Sequence, residues 1–115
     1  MKIHRGDIIF TNIPFNRFNP FQFKGSHFYV IISNENQMEN KSVQAVPLTS
    51  KTDDVRLGQF IINFDCLNSP SKVLCDQLSL FPRKAFQKGK RFGVATEKEM
   101  EEIELRIKEQ LSISA

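Results

Sequence analysis

Tryptophan is absent and tyrosine occurs once, yet eleven phenylalanines crowd a chain of 115 residues. The two cysteines, Cys66 and Cys75, form no Cys-x-x-Cys pair and have no histidine near them in sequence. That argues against a zinc site, and two free thiols fit a reducing compartment. No signal peptide, transit sequence or apolar run of membrane length is visible, so a cytoplasmic protein without membrane contact is expected. Repeats, low-complexity tracts and linkers are missing too. At this length the chain has room for one core, and residues 1–115 are read as a single domain.

Charge, in contrast, is plentiful and unevenly spread. Sixteen Lys and Arg against thirteen Asp and Glu leave +3 overall; residues 97–109 hold six acids and three bases, hence −3, so the remainder carries +6. The basic part is the natural contact for an anionic polymer.

β-Favouring runs dominate the chain as far as about residue 81. Ile8 to Thr11 reads as a first strand behind the charged Arg5-Gly6-Asp7 turn, His27 to Ser33 as a second and Ser42 to Leu48 as a third. Pro47 suggests an edge or a bulge. Gln59 to Phe64 reads as a fourth strand and Lys72 to Phe81 as a fifth, followed by a basic run holding Arg83, Lys84, Lys88, Lys90 and Arg91. Thr96-Glu-Lys-Glu99 is a capping box opening a helix with Met100, Ile103, Ile107 and Leu111 on one face. Glu102 with Arg106 and Glu104 with Lys108 are spaced as i,i+4 pairs. The architecture implied is a small, mainly β fold with a C-terminal helix.

Function points to the stretch from His27 to Lys51. If its two apolar runs pair as a hairpin, His27 lies close to Thr49, Ser50 and Lys51. An imidazole, two hydroxyls and an ammonium then share one sheet edge, a set suited to phosphate chemistry. The loop Thr49 to Gly58, with Lys51, Asp53, Asp54 and Arg56, is long and charged for a hairpin turn and could border a groove. Upstream, Pro14 to Ser26 breaks any regular element while presenting Phe15, Phe18, Phe21 and Phe23 with Arg17 and Lys24. Two readings stand for it: rings folded back to cap the core, or a loop offering rings for base stacking and cations for phosphates. Asp76, in an otherwise apolar neighbourhood, is either satisfied by a Lys or backbone N–H or contacts substrate.

In order and spacing, Arg5-Gly6-Asp7-Ile8, Ile31-Ile32-Ser33-Asn34, Val46-Pro47-Leu48-Thr49-Ser50, Leu74-Cys75-Asp76-Gln77 and Gly89-Lys90-Arg91-Phe92-Gly93 resemble the MazF/PemK/Kid ribonuclease toxins of bacterial toxin–antitoxin systems. The resemblance implies a small SH3-like barrel of the CcdB/MazF (PemK-like) type, a homodimer, and a metal-independent endoribonuclease acting on single-stranded RNA (mRNA) without a cofactor. It also implies an antitoxin peptide that covers the RNA groove. Thr49 matches the family's active-site Thr, and Asp76 an acid of the Kid-like branch. The family's Gly-x-Arg-Pro reads here Gly25-Ser26-His27-Phe28, and its Gly-[Ser/His]-Glu-Gln loop segment is replaced by the Phe-rich stretch.

Cleavage by a ribose 2′-hydroxyl needs a base, an acid for the leaving 5′-oxygen and donors for the developing charge. An imidazole can serve as base or acid, which an Arg does poorly. The catalytic set on this reading is His27, Thr49 and Asp76; Lys24, Ser26, Ser50, Lys51, Arg56, Gln77 and Arg17 are the RNA contacts. The alternative is a binding module on the same barrel that holds RNA or a protein partner without cutting it. Gyrase poisoning, known in CcdB relatives, relies on the end of the terminal helix, and residues 111–115 show no counterpart.

Overall fold

The computed structural model describes residues 1–111; the last four residues, and with them most of the 111–115 tail, lie outside the described residues. Seven antiparallel strands form the chain's framework: β1 (Asp7–Ile13), β2 (Gly25–Ile31), β3 (Ser42–Thr49), β4 (Gln59–Ile62), β5 (Ser71–Leu74), β6 (Ser79–Pro82) and β7 (Lys90–Val94). The strand order is β4-β5-β3-β2-β1-β7, with β6 also paired to β3. A short helix α1 (Arg83–Gln87) precedes β7, and α2 (Glu97–Gln110) closes the described chain. The expected mainly β architecture with a terminal helix is what the chain adopts.

Side chains alternate across the three central strands, so each face carries its own core. On one face Ile8, Val30, Val46, Leu48, Val73 and Phe64 pack under Met100 and Ile103 of α2. On the other, Ile9, Ile13, Ile31, Val43 and Phe81 surround Tyr29, with Phe86 of α1. Tyr29 is fully buried and meets Phe81 and Phe86 edge to face at 5.4 and 5.7 Å between ring centres. Its hydroxyl donates to the Gly25 carbonyl at 3.1 Å, which satisfies the one polar atom in that cluster. Burial pushes the phenol well above its ordinary pKa.

The sequence suggests one fifth strand over residues 72–81; the structure divides it. β3 pairs with β5 at Leu48↔Val73 and Thr49↔Lys72, and with β6 from Ala45↔Ser79 to Ser42↔Pro82. Between these ladders Val46 and Pro47 face the longer segment Leu74 to Leu78, which takes up the excess in a 3-10 turn at Cys75–Gln77. Pro47 has no N–H to donate and sits where the outer edge of β3 loses its partner. The edge-or-bulge reading of Pro47 thus becomes a break in the neighbouring strand. The run after Pro82, read from sequence only as basic, forms α1 and β7.

Gly6, with φ +87°, makes the turn ahead of β1: its N–H donates to Ile31 and its carbonyl accepts from Ala95. Asp7 beside it is wholly buried, accepting from the His4 N–H at 2.8 Å and paired with Arg91 at 3.4 Å. The capping box forms as read, with Thr96 Oγ1 accepting from the Glu99 N–H at 3.1 Å and Glu99 accepting from the Thr96 N–H at 2.8 Å. Glu99 also accepts from the Asp65 N–H at 3.0 Å, tying the helix start to the turn after β4. Arg106 pairs with Glu102 at 3.2 Å, whereas Glu104 pairs with Arg5 instead of Lys108. Of the expected apolar stripe, Met100 and Ile103 are buried, Ile107 half-buried and Leu111 exposed.

Glu99→Ala leaves two backbone donors without their charged acceptor and should destabilise the protein by about 2–4 kcal/mol. Urea unfolding at pH 7 measures this; a loss under about 1 kcal/mol would show that neither bond matters.

Candidate active site

The register of the central hairpin arranges the site. β2 and β3 pair at Phe28↔Leu48, Tyr29↔Pro47 and Val30↔Val46, so one step further along, His27 stands opposite Thr49. Directly opposed residues of an antiparallel pair share a sheet face. His27 is also the partner of Thr11 on β1, and Thr49 the partner of Lys72 on β5, which pairs in turn with Ile61 on β4. A row therefore crosses the sheet as Thr11, His27, Thr49, Lys72 and Ile61. The next row, on the opposite face, is apolar throughout: Phe10, Phe28, Leu48, Val73 and Phe60. One residue of register separates a greasy layer from a polar one.

Within the polar row each group is held differently. The His27 ring packs against Phe23 at 4.7 Å, the two planes tilted by 57°, and meets Tyr29 edge to face at 6.4 Å. Burial lowers its pKa, with a backbone hydrogen bond at Lys24 acting in the opposite direction, which favours the uncharged ring. Thr49, half-buried, accepts the Lys51 N–H on Oγ1 at 3.2 Å, which leaves its own hydroxyl hydrogen to donate elsewhere. Thr11 donates to the Ala85 carbonyl at 2.6 Å and is occupied. Lys72, only 9% exposed, donates to the Asp53 carbonyl at 2.9 Å. Among the described residues no hydrogen bond joins His27 to Thr49 or Ser50; register alone brings them together.

Thr49 and Ser50 also border a groove of about 240 Å³ on the apolar face, with Phe28, Leu67, Ser71 and Phe92 among its walls. Phe28 forms the hub of an aromatic cluster there, edge to face with Phe10 at 5.0 Å and with Phe92 at 4.9 Å. His27 does not line this groove.

The remaining sequence candidates are dispersed. Ser26 is exposed on β2, its hydroxyl 3.3 Å from Asn12 Oδ1. Lys24 is exposed and lies 5.8 Å from the Phe15 ring; Arg17 covers Phe18 at 4.8 Å. Lys51 is exposed at the head of the 49–58 loop. Arg56, near the loop's other end, pairs with Asp54 at 3.1 Å and lines a separate groove with Gly58, Gln59 and Arg106. Asp76 lies four residues along the chain from Lys72, exposed, and accepts from Gln59 Nε2 at 3.2 Å; Gln77 is half-buried in the same turn. Gly58 comes close enough that a Cβ there would sit 3.0 Å from that of Asp76. The loop thus connects Thr49 at one end with Asp76 at the other.

In the Phe-rich segment the two sequence readings divide between residues. Phe23 packs on His27 and Tyr29, whereas Phe15, Phe18 and Phe21 are 63%, 84% and 92% exposed. Gln22 anchors the segment to Ser79 at 3.3 Å. Sequence reasoning missed Lys72 altogether. Its one signal is a lysine inside an apolar run, and its meaning depends on the β3–β5 pairing. Among the described residues no three His, Cys, Asp or Glu side chains gather as metal ligands. Cys75 is buried, its thiol pushed up to about 12 by that burial and then by Asp76.

A family model described as PemK-like, MazF-like toxin of type II toxin–antitoxin system matches residues 4–111. No curated protein matches the chain in sequence. Among solved structures, MazF from Deinococcus radiodurans is 15% identical with a TM-score of 0.77, over 98% of this chain and 99% of that one. An endoribonuclease from a mycobacterial species is 18% identical with a TM-score of 0.74, over 100% and 96%. A mycobacterial endoribonuclease in complex with its cognate antitoxin is 18% identical at 0.73, over 98% of each chain. At such identities the likeness is one of fold.

A lowered folded-state pKa means that the unfolded chain binds the His27 proton more readily. The His27 contribution to stability is therefore present above the unfolded value of 6.5 and is lost as pH falls through the folded value. Between pH 7.5 and pH 5, wild-type stability should fall more steeply than that of His27→Gln. Parallel urea-midpoint curves for the two proteins would contradict this.

Proposed function

The chain belongs to the PemK-like, MazF-like toxins of type II toxin–antitoxin systems, and on that premise we propose that it is an endoribonuclease cutting single-stranded RNA without a metal, centred on His27 and Thr49. The observation that carries this reading is the cross-strand row, in which register sets an imidazole opposite a hydroxyl whose hydrogen is available, burial favouring the uncharged ring. The neutral His27 takes the proton of a ribose 2′-hydroxyl as that oxygen bonds to the adjacent phosphorus. The P–O5′ bond breaks, the imidazolium returns the proton to the leaving 5′-oxygen, and a 2′,3′-cyclic phosphate remains. Thr49 donates to a non-bridging oxygen as negative charge accumulates on it.

Ser50 and Lys51 at the head of the loop, Lys24 just ahead of β2 and Ser26 at its start offer further donors to the RNA backbone. Arg17 belongs to the Phe-rich segment, where Phe15, Phe18 and Phe21 present faces on which unpaired bases can stack. Arg56 and Gln77 serve the far end of the same strand of RNA. Asp76 stands outside the proton-transfer step in this scheme, since its carboxylate holds Gln59 and the base of the loop. The complex of a mycobacterial neighbour with its cognate antitoxin supports an antitoxin peptide as partner here. A homodimer in the cytoplasm is part of the same proposal. The His at the position where related chains are expected to carry Arg favours one rival, a barrel that binds RNA without cutting it.

Purified protein incubated with a long single-stranded RNA in EDTA should yield discrete ends carrying cyclic phosphate. His27→Ala and Thr49→Ala should each slow cleavage by roughly 100-fold or more while remaining folded. Intact RNA in the presence of folded wild-type protein would favour the non-cleaving barrel. Phe18→Ala and Phe21→Ala should weaken binding of a single-stranded oligonucleotide by about 1–3 kcal/mol for each base that stacks, measured by fluorescence anisotropy; unchanged affinity would remove these rings from the interface.

A further inference from the structure

All four residues of β5 are buried, and one of them is a lysine. Lysine is almost never buried without a partner, because removing an ammonium from water is expensive unless a counter-charge replaces the solvent. Lys72 has no carboxylate within ion-pair distance among the described residues, and its one acceptor is the Asp53 main-chain carbonyl. An ammonium carries three N–H donors, so two directions are left over. An apolar residue at this position would serve the strand at least as well.

Lys72 is also the cross-strand partner of Thr49. Opposed residues share a face, and neighbouring strands lie about 4.8 Å apart. His27, Thr49 and Lys72 thus follow one another across β2, β3 and β5 within about 10 Å. The Asp53 carbonyl, only four residues beyond Thr49, fixes the direction in which Nζ points: beneath the loop whose first residues are Thr49, Ser50 and Lys51. The other cations nearby are not held in this way. Lys51 is exposed, Arg56 is neutralised by Asp54, and Lys24 lies against Pro20 and Phe15.

We infer that Lys72 is the phosphate-binding cation of this site, its Nζ contacting the same backbone phosphate as Thr49 and supplying fixed positive charge one strand beyond it from His27. The inference rests on the ribonuclease reading and adds to it the residue that takes up the anionic charge of the substrate. Lys72 is then a catalytic residue, and its hydrogen bond to Asp53 is what orients it. A purely structural Lys72 would be a latch for the loop, a role that any side chain able to donate to Asp53 could share.

Salt dependence separates the two. A single-stranded RNA oligonucleotide carrying 2′-O-methyl groups cannot be cut, so its binding can be followed over a range of NaCl concentrations in wild type, Lys72→Gln, Lys72→Met and Lys72→Arg, with thermal melts confirming that each variant is folded. One lost phosphate contact on a single strand lowers the slope of log K against log salt by about 0.7. Lys72→Gln and Lys72→Met should both show that decrease and bind roughly tenfold or more weakly at low salt. Lys72→Arg should keep the wild-type slope. A wild-type slope in Lys72→Gln or Lys72→Met overturns the assignment and leaves the latch. No binding by the wild-type chain overturns the ribonuclease reading and the assignment together, whereas wild-type cleavage with an unchanged slope in the variants removes only Lys72.

Discussion

The pairing of β2 with β3 is the constraint from which the rest follows. Phe28↔Leu48 and Val30↔Val46 seal the face under α2, while Tyr29, between them, points into the second core. A slip of one residue would move Tyr29 out of its ring cluster and put Phe28 in its place. Neither core would survive the exchange, so the register is held from both sides of the sheet. His27 and Thr49 inherit that rigidity. They sit one step past the last apolar pair, where packing still fixes the backbone but no longer excludes polar groups.

Position, more than identity, gives the two faces their different chemistry at this end of the sheet. Phe10, Phe28 and Phe92 turn the apolar side into an edge-to-face aromatic cluster, and Phe92 is left in the bulge between Ile8↔Gly93 and Ile9↔Arg91. On the polar side Phe23 fills the space next to the His27 ring. That ring is desolvated by a neighbour from the same loop that carries the exposed Phe15, Phe18 and Phe21. The loop therefore has two tasks in one stretch, an inner ring that shapes the imidazole's environment and outer rings that face solvent.

Local signals in the sequence were sufficient for the hairpin, the capping box at Thr96 and Glu99 and the amphipathic start of α2, because each depends on residues a few positions apart. They failed at residues 72–81, where an apolar run reads as one strand and the cause of its division, Pro47, lies on another strand some thirty positions away in sequence. Lys72 was unreadable for the same reason. Nothing local says that β5 pairs with β3 rather than only with β4, and without that pairing Lys72 has no connection to Thr49. Asp7 reversed the usual expectation: an acid in a charged lead-in is wholly buried, since Arg91 from β7 and the His4 amide converge on it. The Phe-rich segment stayed ambiguous because burial of its rings is decided by His27, Tyr29 and Ser79, all outside it.

The absence of tryptophan, together with a single tyrosine, gives the molecule an optical property. Tyr29 is its one strong near-ultraviolet chromophore, walled in by Phe81, Phe86 and Phe23 and hydrogen-bonded to a carbonyl at the start of β2. Phenylalanines at these separations pass their excitation to it, and its emission responds to the carbonyl that its hydroxyl contacts. The intrinsic fluorescence of this chain is consequently a one-residue signal, originating two positions from His27, and it reports on the packing behind the row without any label.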